Sequence, residues 1–161
     1  MFYRGMDAQD IACQLADLLN TYNRLAGKRH AIDILSSETD YVVETHGKLV
    51  IGAVGVRRLS FHVSEIKHLS VRKKWRGKGI GRFLLKRALG MCVTPFAYAT
   101  IREDNLSSIQ LFESVGFSRV GEYDGVGHKV LILTSEISKW KPTSAPEIEI
   151  DWKSVSYTES D

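Results

Sequence analysis

Along residues 7–22 the apolar positions recur at helical spacing, with Ile11, Leu15, Leu18, Leu19 and Tyr22 on one face and Asp7 placed to cap the start. Residues 23–39 are mixed and polar, which predicts a short helix and a loop. The pattern then turns β-rich. Residues 41–45 and 49–58 form two runs joined around His46 and Gly47, as in a hairpin, and residues 61–71 supply a third. An antiparallel meander is therefore predicted, with residues 2–4 as a short strand before the first helix.

Strict alternation fails inside the third run. Ile66 is apolar in one parity, whereas Leu69 and Val71 continue in the other, so the break falls near Lys67 and His68. Two readings fit these letters: a β-bulge that restores one buried face, or a strand buried on both faces.

Downstream, Ile80, Phe83, Leu84, Ala88 and Cys92 mark the packed face of a helix over residues 80–91. A strand at residues 96–101 follows. Asn105 is placed to cap a helix bearing Ile109, Phe112 and Val115, which Gly116 ends and Phe117 closes by packing back. Residues 130–134 read as another strand. After Pro142 and Pro146, the alternation of Ile148, Ile150 and Trp152 allows an added edge strand in the tail.

Between the third run and the helix at residue 80 lies RGKGIG, residues 76–81. A glycine-rich strand-to-helix turn leaves backbone N–H groups free to point at an anion. Arg72, Lys73, Lys74, Arg76, Lys78, Arg82, Lys86 and Arg87 crowd the same stretch with no acidic residue between them, which favours a polyanionic ligand over a merely solvated helix end. The chain has no GxxxxGK[ST] string. A dinucleotide fingerprint would need glycine where Arg82 stands, and one βαβ unit is too few for that fold.

With 161 residues and 43% hydrophobic content, the chain suits one domain, placed at residues 1–140 with a tail at 141–161. A net charge of +3, concentrated around the glycine turn, does not describe a specific nucleic-acid binder. Cys13 and Cys92 read as small fillers on helices, so neither a disulfide framework nor a metal site is expected. The opening residues lack the apolar core of a secretory signal, and no stretch has the roughly 20 apolar residues of a membrane span. The expectation is a cytoplasmic protein without membrane attachment, monomeric or homodimeric.

HLSVRKKWRGKGIGRFLL followed by NLSSIQLFESVGF resembles the acetyl-CoA-dependent N-acyltransferases of the GNAT superfamily, in motif order and separation, and the element order agrees over residues 1–135. The resemblance implies an α/β fold with a mixed, largely antiparallel central sheet flanked by helices, and a splayed, bulged strand forming a CoA cleft. The family's loop pattern [QR]xxGx[GA] is met by Arg76, Gly79 and Gly81. By resemblance, the amides of Gly77, Lys78, Gly79, Ile80, Gly81 and Arg82 hold the CoA pyrophosphate, and Leu69, Ser70 and Val71 pair with the pantetheine arm. Asn105 and Ser108 match the second motif, Nxx[AS], at the far side of the cofactor; as local features they are equally a helix cap and a first-turn residue.

Acetyl transfer to an amine requires a neutral nitrogen, yet a lysine-like amine of pKa about 10.4 is protonated at neutral pH. Glu65 matches the glutamate base of histone-type relatives and would act through an ordered water; the plain reading is a surface carboxylate paired with Lys67 or Arg57. The Leu69 amide is the expected oxyanion donor. Many relatives carry tyrosine at Phe112 to protonate the thiolate, which leaves that role without an assigned residue among Ser107, Ser108 and Tyr98. His62 and His68 are further base candidates on the same strand, and Trp75 either covers adenine or anchors the turn. The function implied is an N-acetyltransferase using acetyl-CoA by direct transfer, with a primary amine of peptide or small molecule as acceptor and no metal. A non-catalytic acyl-CoA-binding or regulatory module is the alternative that Phe112 keeps open.

Overall fold

The computed structural model describes residues 5–23, 25 and 27–137, so the readings made for residues 2–4 and for the tail lie outside the described residues. Helix α1 (Ala8–Tyr22) starts where Asp7 accepts a hydrogen bond from the Asp10 amide, as its residue type requires, and buries Leu15, Leu18 and Leu19. Helix α2 (Ala31–Leu35) occupies the polar stretch after it. The meander follows as β1 (Asp40–His46), β2 (Leu49–Arg58) and β3 (Val63–Val71), then helix α3 (Ile80–Met91), β4 (Phe96–Arg102), α4 (Leu106–Glu113), β5 (Ser118–Gly125) and β6 (His128–Glu136).

The six strands form one sheet in the order β1-β2-β3-β4-β6-β5, antiparallel except for the parallel β3–β4 pair. Successive side chains on a strand point to opposite faces, so Val43 and Ala53 pack with Met6 and α1 while Val42, Val54 and Val56 pack with α3 and α4; the register shift that leaves Ile51 unpaired with β1 puts Val50 on the side of Ala53. β2 is buried from Val50 to Val56, as a central strand covered on both sides must be. The mixed, largely antiparallel sheet flanked by helices expected above is thus the observed fold. No helix among the described residues is long and apolar enough to cross a membrane.

Three local expectations change. Phe83 is 50% exposed with the Arg87 guanidinium over its ring, while Leu85 takes a buried place beside Leu84 and Ala88. The packed face of α3 is rotated from the one its spacing suggested. Cys13 is exposed rather than a packed filler, and Cys92 is half-buried just past the end of α3. β5 was not anticipated: its inner apolar positions are missing, and it is held by its ladder to β6.

Candidate active site

β3 carries a bulge at the place where its alternation fails. Ala53 pairs with Ser70 and Gly55 with Lys67, so two residues, His68 and Leu69, stand opposite Val54 alone. His68 takes a left-handed backbone, φ 57°, the only non-glycine to do so among the described residues. The inserted residue switches parity, and Ile66, Leu69 and Val71 all meet the same core. Of the two readings left open, the bulge is the one adopted.

The second determinant is where β3 leaves β4. Their parallel ladder has three register pairs, Val63–Phe96, Ser64–Ala97 and Glu65–Tyr98, and β4 thereafter pairs only with β6. From Ile66 onward β3 has no strand on that side, so its backbone groups there need another partner. A cleft of about 910 Å³ opens along it.

At the head of the cleft the chain turns through a 3-10 segment (Lys73–Trp75) into α3. Gly77 and Gly79 have φ of 73° and 78°, a region costly for any residue with a Cβ. Gly81 has another reason: a Cβ there would lie 3.0 Å from Leu111 Cδ2, so its absence lets α3 approach α4. The first helical bond runs from the Phe83 amide to the Gly79 carbonyl, which leaves the preceding amides at the positive end of α3 without intrahelical partners.

Glu65, Leu69, Ser70, Val71, Arg76, Gly77, Gly79, Ile80, Gly81, Arg82, Asn105 and Ser108 all line this one cleft. Lys78 does not; its ammonium lies 4.9 Å above the Trp75 ring, which itself meets His46 at 4.7 Å. Trp75 thereby anchors the turn while bordering the cleft. Arg76 is engaged by the protein, its Nε donating to the Val71 carbonyl at 2.9 Å and its guanidinium lying over Tyr22. Asn105 caps α4 by accepting from the Ser108 amide at 3.3 Å, so both face the cleft while performing the local task.

Glu65 is mostly shielded, with 15% of its side chain exposed, and accepts from Lys67 Nζ at 3.3 Å. Arg57, the other partner considered, pairs with Glu38 instead. His68 lines the cleft and shares a 2.9 Å hydrogen bond between Nδ1 and the Tyr41 hydroxyl. Burial, then the charges of Lys67 and Arg29, lower its pKa to about 4, so it is neutral at pH 7. His62 is exposed and outside the cleft. Burial and the charges of Glu65 and Tyr123 raise the Tyr98 pKa, and Tyr98 does not line the cleft, whereas Ser107 and Ser108 do. Phe112 is buried, edge-on to Phe117 at 4.9 Å.

Sequence reasoning assigned no place beside the cofactor to Tyr22, Asn23 and Leu25, which also line the cleft, where Asn23 donates to the Ser70 hydroxyl, or to Thr100 and Arg102 on β4. Tyr22 alone carried a signal, as the last apolar position on α1. No group of three or more metal-ligating side chains occurs among the described residues.

A splayed strand beside a glycine turn at a helix N-terminus defines a site for a long ligand with an anionic end. The Acetyltransferase (GNAT) family model matches residues 12–117, and the chain belongs to that family. Over 93 residues, 55% of the chain, it is 33% identical to N-alpha-acetyltransferase RimI of Mycobacterium tuberculosis. The match spans 58% of that relative's length. An uncharacterised protein of Mycobacterium leprae is 29% identical over 123 residues, 74% of this chain and 30% of the relative. In fold, the chain matches a GNAT family acetyltransferase from Elizabethkingia anophelis, solved with acetyl-CoA bound, at a TM-score of 0.62 and 19% identity over 74% of this chain and 88% of that one.

Proposed function

We propose that this chain transfers an acetyl group from acetyl-CoA directly to a primary amine, with residues 1–140 acting as one catalytic domain. The observation that carries the reading is the departure of β3 from β4 after Glu65, immediately ahead of the Gly77–Gly79–Gly81 turn. Family membership, a relative named as an N-alpha-acetyltransferase and a neighbour of the same fold solved with acetyl-CoA support it.

In this reading the amides of residues 77–82 and the α3 dipole hold the pyrophosphate. Leu69, Ser70 and Val71 align the pantetheine arm, with Asn105 and Ser108 on its far side. The Leu69 amide meets the carbonyl oxygen as it gains charge. Glu65 takes the amine's proton through a water, and its bond to Lys67 keeps the carboxylate oriented. The amine nitrogen bonds to the acetyl carbon and the carbon–sulfur bond breaks. The thiolate, from a thiol of pKa about 8.5, leaves without the tyrosine acid that Phe112 replaces.

One observation favours a second reading, a non-catalytic acyl-CoA-binding module: Phe112 brings no hydroxyl and is packed into the core. Thiol release from acetyl-CoA, followed with a panel of peptides and small amines, separates the two. Turnover with any amine supports the transferase. Tight acetyl-CoA binding with no turnover on any acceptor assigns the module.

A further inference from the structure

The bulge has a second side. Lys67 and His68 line the cofactor cleft and also a smaller cavity of about 200 Å³. That size is below the roughly 300–1,000 Å³ of pockets enclosing drug-sized ligands, and suits a single residue-sized group. The bulge thus borders both spaces, next in sequence to the Leu69 amide assigned above to the thioester.

The charged side chains lining the smaller cavity are mostly committed. Arg57 pairs with Glu38 at 3.2 Å, Lys67 with Glu65 at 3.3 Å, and Asp33 accepts from the His30 amide at 2.7 Å. Arg29 makes no ion pair among the described residues, although its backbone is fixed. The Arg29 amide donates to Asn20 Oδ1 at 2.8 Å, and Asn20 Nδ2 donates back to the Arg29 carbonyl at 2.7 Å. This reciprocal clasp holds the loop between α1 and α2 against α1. Arg29 lines the cavity with Tyr41 and His68, and its charge is felt at both members of that hydrogen-bonded pair.

We propose that this cavity receives the acceptor and selects amines bearing a carboxylate close to the reacting nitrogen, held by Arg29 while the nitrogen reaches the bulge. An ammonium alone meets the Arg29 charge and is repelled. A carboxylate on the acceptor pairs with Arg29 and offsets that repulsion. The proposal rests on the transferase reading above and adds to it the class of acceptor.

The test compares short peptides with Asp, Gln or Lys at the second position, together with free glutamate, as acceptors for the wild type, Arg29→Glu and Arg29→Lys. The expected result is a kcat/KM for the Asp peptide or for glutamate about tenfold above that for the Lys peptide, carried by KM. Arg29→Glu abolishes or inverts the preference, and Arg29→Lys retains it. Turnover of glutamate assigns a small amino acid, and turnover confined to the Asp peptide assigns a polypeptide N-terminus. A wild-type preference for the Lys peptide, or a preference unmoved by Arg29→Glu, overturns the proposal. A second readout needs no turnover: the Asp peptide raises the NMR titration midpoint of His68 and the Lys peptide does not. That response with no acetylation of any amine would refute the transferase reading and leave the pocket standing; no response from either peptide refutes the pocket.

Discussion

Glu65 stands opposite Tyr98 in the last register pair that β3 makes with β4. One residue later the strands part, so the carboxylate lines the cleft where it begins to open, with Lys67 Nζ 3.3 Å away. Replacing Glu65 by Gln keeps shape and removes charge. We expect kcat to fall by about 10²–10⁴ while acetyl-CoA affinity is retained, the range for loss of a positioned acid or base. Single-turnover kinetics and calorimetry check it, and an unchanged kcat would remove Glu65 from the chemistry.

Gly79 has φ of 78° with open space where a Cβ would stand, so the penalty for a side chain is conformational rather than steric crowding by neighbours. A left-handed backbone costs an L-residue about 1–2 kcal/mol. In Gly79→Val the turn relaxes away from this geometry, and acetyl-CoA affinity by calorimetry should drop about tenfold.

Gly90 provides the contrast. It lies in α3, has no positive φ, and nothing is within 4 Å of a Cβ placed there. Gly90→Ala should stabilise the fold by about 0.4–1 kcal/mol, read from urea unfolding, with acetyl-CoA affinity unchanged.

His68 is a base whose pKa falls from the ordinary 6.5 to about 4 on folding. Below pH 6.5 the unfolded chain takes up a proton that the folded one refuses, so its contribution is present above pH 6.5, is lost as pH falls, and levels off below about 4. Unfolding midpoints measured across this window should slope accordingly. His68→Asn, which tolerates the left-handed backbone, should flatten that slope; an NMR titration midpoint near 6.5 in the wild type would contradict it.

Phe112 is 4% exposed and meets Phe117 edge-on at 4.9 Å. Phe112→Ala should cost about 3–5 kcal/mol of stability in urea unfolding, because a cavity remains beneath α4. A loss below 1 kcal/mol would show that the site collapses around the smaller residue.

Much of this architecture is legible in single residues. Asp7 and Asn105 announce two helix starts, because a short polar side chain accepts from an amide in the first turn. The parity change between Ile66 and Leu69 marks the place of the irregularity, and the pairing with β2 makes it a bulge, which brings both residues to one face. β5 is illegible for the converse reason: its side chains are largely exposed, and its strand state comes from pairing with β6. The face of α3 is also misread at Phe83, because periodicity gives a stripe and its neighbours decide which edge of the stripe is covered.

Local patterns in the chain suffice for most of the element order, for the glycine turn ahead of α3 and for the break in alternation within β3, all of which depend on residues within a few positions of one another. Packing between distant segments sets where β3 leaves β4, that Asn23 reaches Ser70, and that His68, bonded to Tyr41, borders two cavities. Those relationships join residues far apart in the chain, and their geometry is fixed by packing, which no local pattern encodes.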